Sequence, residues 1–93
     1  MMAAPQRVCQ LRQEVETLLQ THHINYDMRQ DLPKYQHRFI FRLHTGYWFS
    51  ITPKCVSDKV SYISFEENNK EEVMNWIIQQ LKAQFILNEG ELA

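Results

Sequence analysis

Apolar residues in this chain recur at spacings of three and four, then of two, then of three and four again. Val8, Leu11, Val15 and Leu18, with Leu19 and His22 beside them, make one stripe at helical spacing. That stripe predicts an amphipathic helix over about residues 5–22, with Pro5 in a first turn that can spare its N–H. Arg12 and Glu16, four apart on the polar side, can pair. Ile24, Tyr26 and Met28 then alternate with Asn25, Asp27 and Arg29, which predicts a strand over 24–29. Residues 30–36, with Asp31 and Pro33, read as a loop.

The clearest local signal lies in the middle, where strand-like runs at 37–43 and 47–52 flank His44-Thr45-Gly46. A three-residue loop with Gly46 in the left-handed conformation sets Leu43 opposite Tyr47, Phe41 opposite Phe49 and Phe39 opposite Ile51. Three apolar pairs then share one face. A two-residue Thr45-Gly46 turn would instead oppose Leu43 to Trp48 and Phe41 to Ser50, mixing polar with apolar. The three-residue loop is therefore the expected register.

Pro53 ends that run, and residues 54–58 read as a loop. A fourth strand is expected over 59–65, with Val60 and Tyr62 on one face and Ile63 and Phe65 on the other; a partner could supply the second cover. Asn69 three before Glu72, or Asn68 before Glu71, resembles a capping box opening a last helix over 69–88. Its stripe is Val73, Ile77, Leu81 and Phe85, widened by Met74, Trp76 and Ile78, and the tail from Glu89 is expected to be loose. The whole chain, 1–93, thus reads as one two-layer α+β domain, a helix, a four-stranded antiparallel sheet and a second helix.

Composition adds that the chain is a folded globule: 93 residues, 44% hydrophobic and 12% aromatic, with two glycines and three prolines. No apolar run approaches a membrane span, and residues 1–5 lack the parts of a signal peptide, so a cytoplasmic protein is expected. Cys9 and Cys55 are far apart without paired spacing, which suits reduced thiols. The net charge of -1 hides an asymmetry. Residues 29–59 hold six Lys/Arg against two Asp, whereas from Val60 onward two Lys face six Glu.

Catalytic chemistry finds no foothold. His22 and His23 diverge on a helix, and His37 and His44 lie seven apart on a strand, facing opposite sides. No zinc motif, nucleophile elbow or phosphate-cradling glycine loop is present. Neither an enzyme, a metal nor a cofactor is expected; Cys55 near Lys54 and Lys59 is the only thiol with an activating context.

The hairpin register turns a second set of residues outward: Arg38, Ile40, Arg42, Trp48, Ser50 and Thr52, followed by Lys54 in the next turn. Arg42 should stand across from Trp48, close enough to stack on the indole. Trp and Arg are the residue types that anchor protein interfaces. This face is the expected partner-binding surface of a regulatory adaptor, inhibitor or immunity-type protein, with homodimerisation as one way of using it. The second reading is nucleic-acid binding through the basic hairpin 37–54, since strand-binding sheets also mix basic and aromatic residues. Against it, 37–48 lacks the ribonucleoprotein motif, and Asn68-Asn69-Lys70-Glu71-Glu72 replaces the lysine cluster of double-stranded-RNA-binding domains. In element order alone the chain is similar to RWD-type interaction modules.

Overall fold

A computed structural model describes residues 4–31 and 37–88. Helix α1 (Gln6–Thr21) leads into five strands, β1 (Tyr26–Asp31), β2 (Arg38–Leu43), β3 (Trp48–Ile51), β4 (Cys55–Asp58) and β5 (Tyr62–Ser64), and helix α2 (Lys70–Ala83) follows. The strands form an antiparallel meander in the order β1-β2-β3-β4-β5. The sheet therefore has five strands where four were expected. The stretch 54–58 is mostly strand β4, and 59–65 divides into a turn and the short β5.

The hairpin takes the expected three-residue loop. Gly46 has φ +94, its N–H donates to Leu43 O at 2.9 Å, and Leu43 N–H donates to Tyr47 O at 2.8 Å. Phe39 pairs with Ile51, Phe41 with Phe49 and Arg42 with Trp48. Phe39, Phe41, Leu43, Phe49, Ile51 and Val56 thereby share one buried face. That face packs with Val8, Leu11, Val15 and Leu19 of α1 and Val73, Ile77 and Leu81 of α2. Phe41 and Phe49 stack at its centre, centroids 5.1 Å apart and nearly parallel. Arg12 and Arg7 lay their guanidinium groups over Phe39 and Phe65, covering the rim of the core with aliphatic stems and charge. The Arg12–Glu16 pair forms as expected, and Glu16 also accepts from the Tyr26 hydroxyl.

Both helices stop by the same device. His23 and Phe85 adopt the left-handed conformation, with φ of 56 and 59. Ile24 N–H then reaches Leu19 O and Ile86 N–H reaches Leu81 O, the hydrogen bonds of a Schellman ending without its customary glycine. For α2 this corrects the expected span. The helix ends at Ala83, Phe85 swings out to 93% exposure, and Leu87 takes the core position instead. Asn69 does stand at the helix start, but its side chain accepts from Glu66 N–H and donates to Ser64 O and makes no bond into the first turn. Strand β1 begins and ends two residues later than expected, at Tyr26 and Asp31, so that Gln30 and Asp31 belong to it. The rest of the expected Pro33 loop, and the tail from Glu89, lie outside the described residues.

The two turns that define β4 contain no glycine. At the first, Thr52 Oγ1 accepts from Lys54 N–H and Cys55 N–H at 3.2 and 3.0 Å and donates to Cys55 O at 2.9 Å. At the second, Asp58 Oδ1 accepts from Val60 N–H and Ser61 N–H, both at 2.9 Å. Short polar side chains here add to the backbone bonds Thr52 N–H to Cys55 O and Asp58 N–H to Ser61 O that close the same turns, both 2.9 Å. The reversals put Val60 at a turn tip, 86% exposed, which explains why the expected doubly covered strand does not form.

Candidate sheet-face interface

Because side chains alternate along each strand, the face opposite the helices follows from the pairing. Arg29, Ile40, Ser50, Ser57 and Tyr62 stand in register across all five strands. Beside this row lies a shorter one, Asp27, Arg42 and Trp48. On the other side Asp31 pairs with Arg38 and Cys55 with Ser64. Neither helix contributes to this surface. Trp48 on β3 and Tyr62 on β5, 37% and 71% exposed, are its large apolar groups, and the half-buried Ile40 lies on β2, on the other side of Trp48 from Tyr62.

Of the residues expected at the site, Arg38, Ile40, Arg42 and Trp48 are brought together on this face. Ser50 and Thr52 share it by alternation but are not presented. Each is 6% exposed, and their hydroxyls turn to Ser57 Oγ at 3.4 Å and to Cys55 O. Lys54 sits in the exposed turn after β3, apart from the two rows. The expected stack of Arg42 on Trp48 is not formed. They are register partners, yet the guanidinium–ring contacts among the described residues are those of Arg7 and Arg12. Arg38 is tied to Asp31 by an ion pair, so part of the expected positive charge is already answered.

Sequence reasoning did not place Arg29, Asp27 and Tyr62 in the site. Asp27 and Arg29 alternate with the core-side Tyr26 and Met28, and that signal was available. Tyr62 required knowing that β4 intervenes. Asp27, Arg29, Ile40 and Arg42 line a small concavity of about 190 Å³ on the face. A larger open groove of about 680 Å³ lies between the helices, edged by Gln13, Glu14, Leu18, Lys70 and Met74. Leu18 and Met74 line it among polar side chains, and one pair of these, Lys70 and Glu14, is joined across it.

Titratable groups are perturbed on the helical side, away from this face. Tyr47 donates to Asp58 Oδ2 at 2.6 Å. Burial, reinforced by that carboxylate, holds the Tyr47 hydroxyl well above the ordinary tyrosine range. For Asp58, burial pushes the pKa upward. The hydrogen bonds from Tyr47, Val60 and Ser61 outweigh it, so the carboxyl sits below its usual value. Its role is to close the β4–β5 turn. Among the described residues no three His, Cys, Asp or Glu side chains converge as a metal set, and no helix is long and apolar enough to cross a membrane. Cys9 and Cys55 are half-buried free thiols. Comparison with models of protein families, with curated proteins and with solved structures finds no significant match to this chain.

Proposed function

We propose that the protein is a small protein-binding module, an adaptor or inhibitor that acts by occupying a partner's surface and not by catalysis. The observation that carries this reading is the helix-free sheet face, where Trp48 on β3 stands across from Arg42 on β2, with Arg29 beyond it on β1 and Tyr62 exposed on β5. An aromatic anchor beside an arginine, on a rigid sheet, has the composition of an interface hot spot. The partner best suited is another protein with an apolar patch rimmed by carboxylates. A reducing, cytoplasmic setting suits the two free thiols. The carboxylates of Asp27 and Asp31 stand among the arginines on the same face, which favours a protein of mixed charge over a phosphate backbone.

Truncating the anchor should separate binding from folding. Trp48→Ala, and separately Arg42→Glu, should each weaken retention of the partner by about 30-fold or more. Arg42→Glu should stay within about 1 kcal/mol of wild type, and Trp48→Ala, whose ring is 37% exposed, should cost about 1–2 kcal/mol and remain folded. Affinity capture from native lysate with wild type and the two variants side by side, plus urea unfolding of each, checks this. A nucleic-acid binder would instead show affinity for DNA or RNA that falls steeply with salt.

A further inference from the structure

The sheet has two edges, and they are built differently. At one end β5 is three residues long and is preceded by a turn, the usual blunted form of an edge. At the other, β1 runs six residues and, among the described residues, has no strand on its outer side. The direction of its unpaired groups can be worked out. His44 N–H donates to Asn25 O at 3.0 Å, and antiparallel ladders alternate. Asp27, Arg29 and Asp31 therefore turn their backbone groups toward β2. Tyr26, Met28 and Gln30 turn theirs outward, leaving three N–H and three C=O groups along an open edge.

The side chains on that edge restrict what can pair with it. On the sheet's helix-free face β1 presents Asp27, Arg29 and Asp31, charges of alternating sign. We propose that a second copy of this chain docks antiparallel on β1, with Met28 opposite Met28 of the second copy, joining two sheets into one of ten strands. In this register the outward-turned residues oppose one another, Tyr26 to Gln30 and Met28 to Met28, so their backbone groups bond reciprocally. Asp27 then faces Arg29 of the second copy, and Arg29 faces its Asp27, both at the close, non-hydrogen-bonded positions where side chains meet best. Sliding the strands one step of two residues either way sets Asp27 against Asp27 or Arg29 against Arg29. The charges that would repel a random strand thus select a single self-complementary alignment, the isologous contact expected of a two-fold dimer.

The two-fold axis runs perpendicular to the sheet, so both helical layers lie on one side. The two Trp48-bearing faces lie on the other as one continuous surface. The dimer edge and the Trp48 anchor lie two strands apart; Arg29 belongs to both surfaces, so Gln30→Pro and Trp48→Ala are the variants that tell the two readings apart.

Charge exchange tests it. Sedimentation equilibrium should give wild type twice the 11.2 kDa chain mass at micromolar concentration. Asp27→Arg or Arg29→Asp alone places like charges opposite each other twice and should weaken association by about 30-fold or more. The double variant carrying both changes should dimerise again, and an equimolar mixture of the two single variants should form a heterodimer, visible by native mass spectrometry. Gln30→Pro, which removes one outward N–H and leaves the β2 ladder intact, should be folded by circular dichroism and monomeric. Trp48→Ala should dimerise like wild type. A wild type that is monomeric up to about 200 µM, a Gln30→Pro variant that dimerises normally, or folded single variants that stay monomeric when mixed would each overturn the proposal.

Discussion

Replacing Phe41 by alanine should cost about 3–5 kcal/mol, enough to leave much of the protein unfolded at physiological temperature. The ring is fully buried in the second of five strands, stacked on Phe49 and tilted against Tyr26 at 5.8 Å. Truncation removes the transfer free energy of a phenyl group and leaves a cavity in the middle of a rigid sheet. The strands on either side are fixed by their ladders and cannot close over it. A domain of this size has total stability toward the low end of about 5–15 kcal/mol. Urea unfolding followed by far-UV circular dichroism measures the change. A loss below about 1 kcal/mol would mean that the hairpin's buried face is not the centre of the core.

The second large effect is electrostatic. Asp58→Ala should destabilise by about 2–3 kcal/mol at neutral pH, because Tyr47 Oη and the N–H groups of Val60 and Ser61 lose their shared acceptor. The pH dependence gives this site a signature. The carboxyl is held below its ordinary value of 3.8 in the folded state. Its contribution is therefore complete above that value and is lost as pH falls through the lower, folded pKa. Tyr47 runs the other way. Its folded pKa is raised above 10.0, so its contribution is complete below pH 10 and is lost as the solution becomes more alkaline. Urea midpoints of wild type should drop at both extremes, while Asp58→Asn should start lower at pH 7 and show a shallower acid limb. Identical acid limbs in the two proteins would remove Asp58 from this account.

How far the sequence could be read depended on which chemistry closed each turn. Gly46 marks its hairpin openly, and the alternation of Phe39, Phe41, Phe49 and Ile51 leaves one sensible register, so the two central strands and the outward position of Trp48 were legible. Strand β4 was not. Cys55-Val56-Ser57-Asp58 has a single apolar core residue, and its turns are held by Thr52 and Asp58 side chains where glycine was the signal sought. The Thr-Pro-Lys-Cys and Asp-Lys-Val-Ser segments were the available clues, since both residue types close turns through their own oxygens. The end of α2 was hidden for a similar reason, with Phe85 in a conformation that favours glycine while continuing the helical stripe in sequence. In the site, alternation correctly gave the face of Ser50 and Thr52. It could not give their burial, which depends on hydroxyl bonds to β4 and so on a strand that was read as a loop.

The face carrying Trp48 and Tyr62 as the seat of partner binding is tested most directly by site-specific photocrosslinking in the native cell. A benzophenone amino acid in place of Tyr62, a ring already exposed on that face, is compared with the same group in place of the exposed Glu72 on α2. A discrete adduct to one protein from position 62, absent from position 72, is the result this account predicts. Equal labelling from the two positions, or an adduct from position 72 alone, would place the contact on the helical side and contradict it.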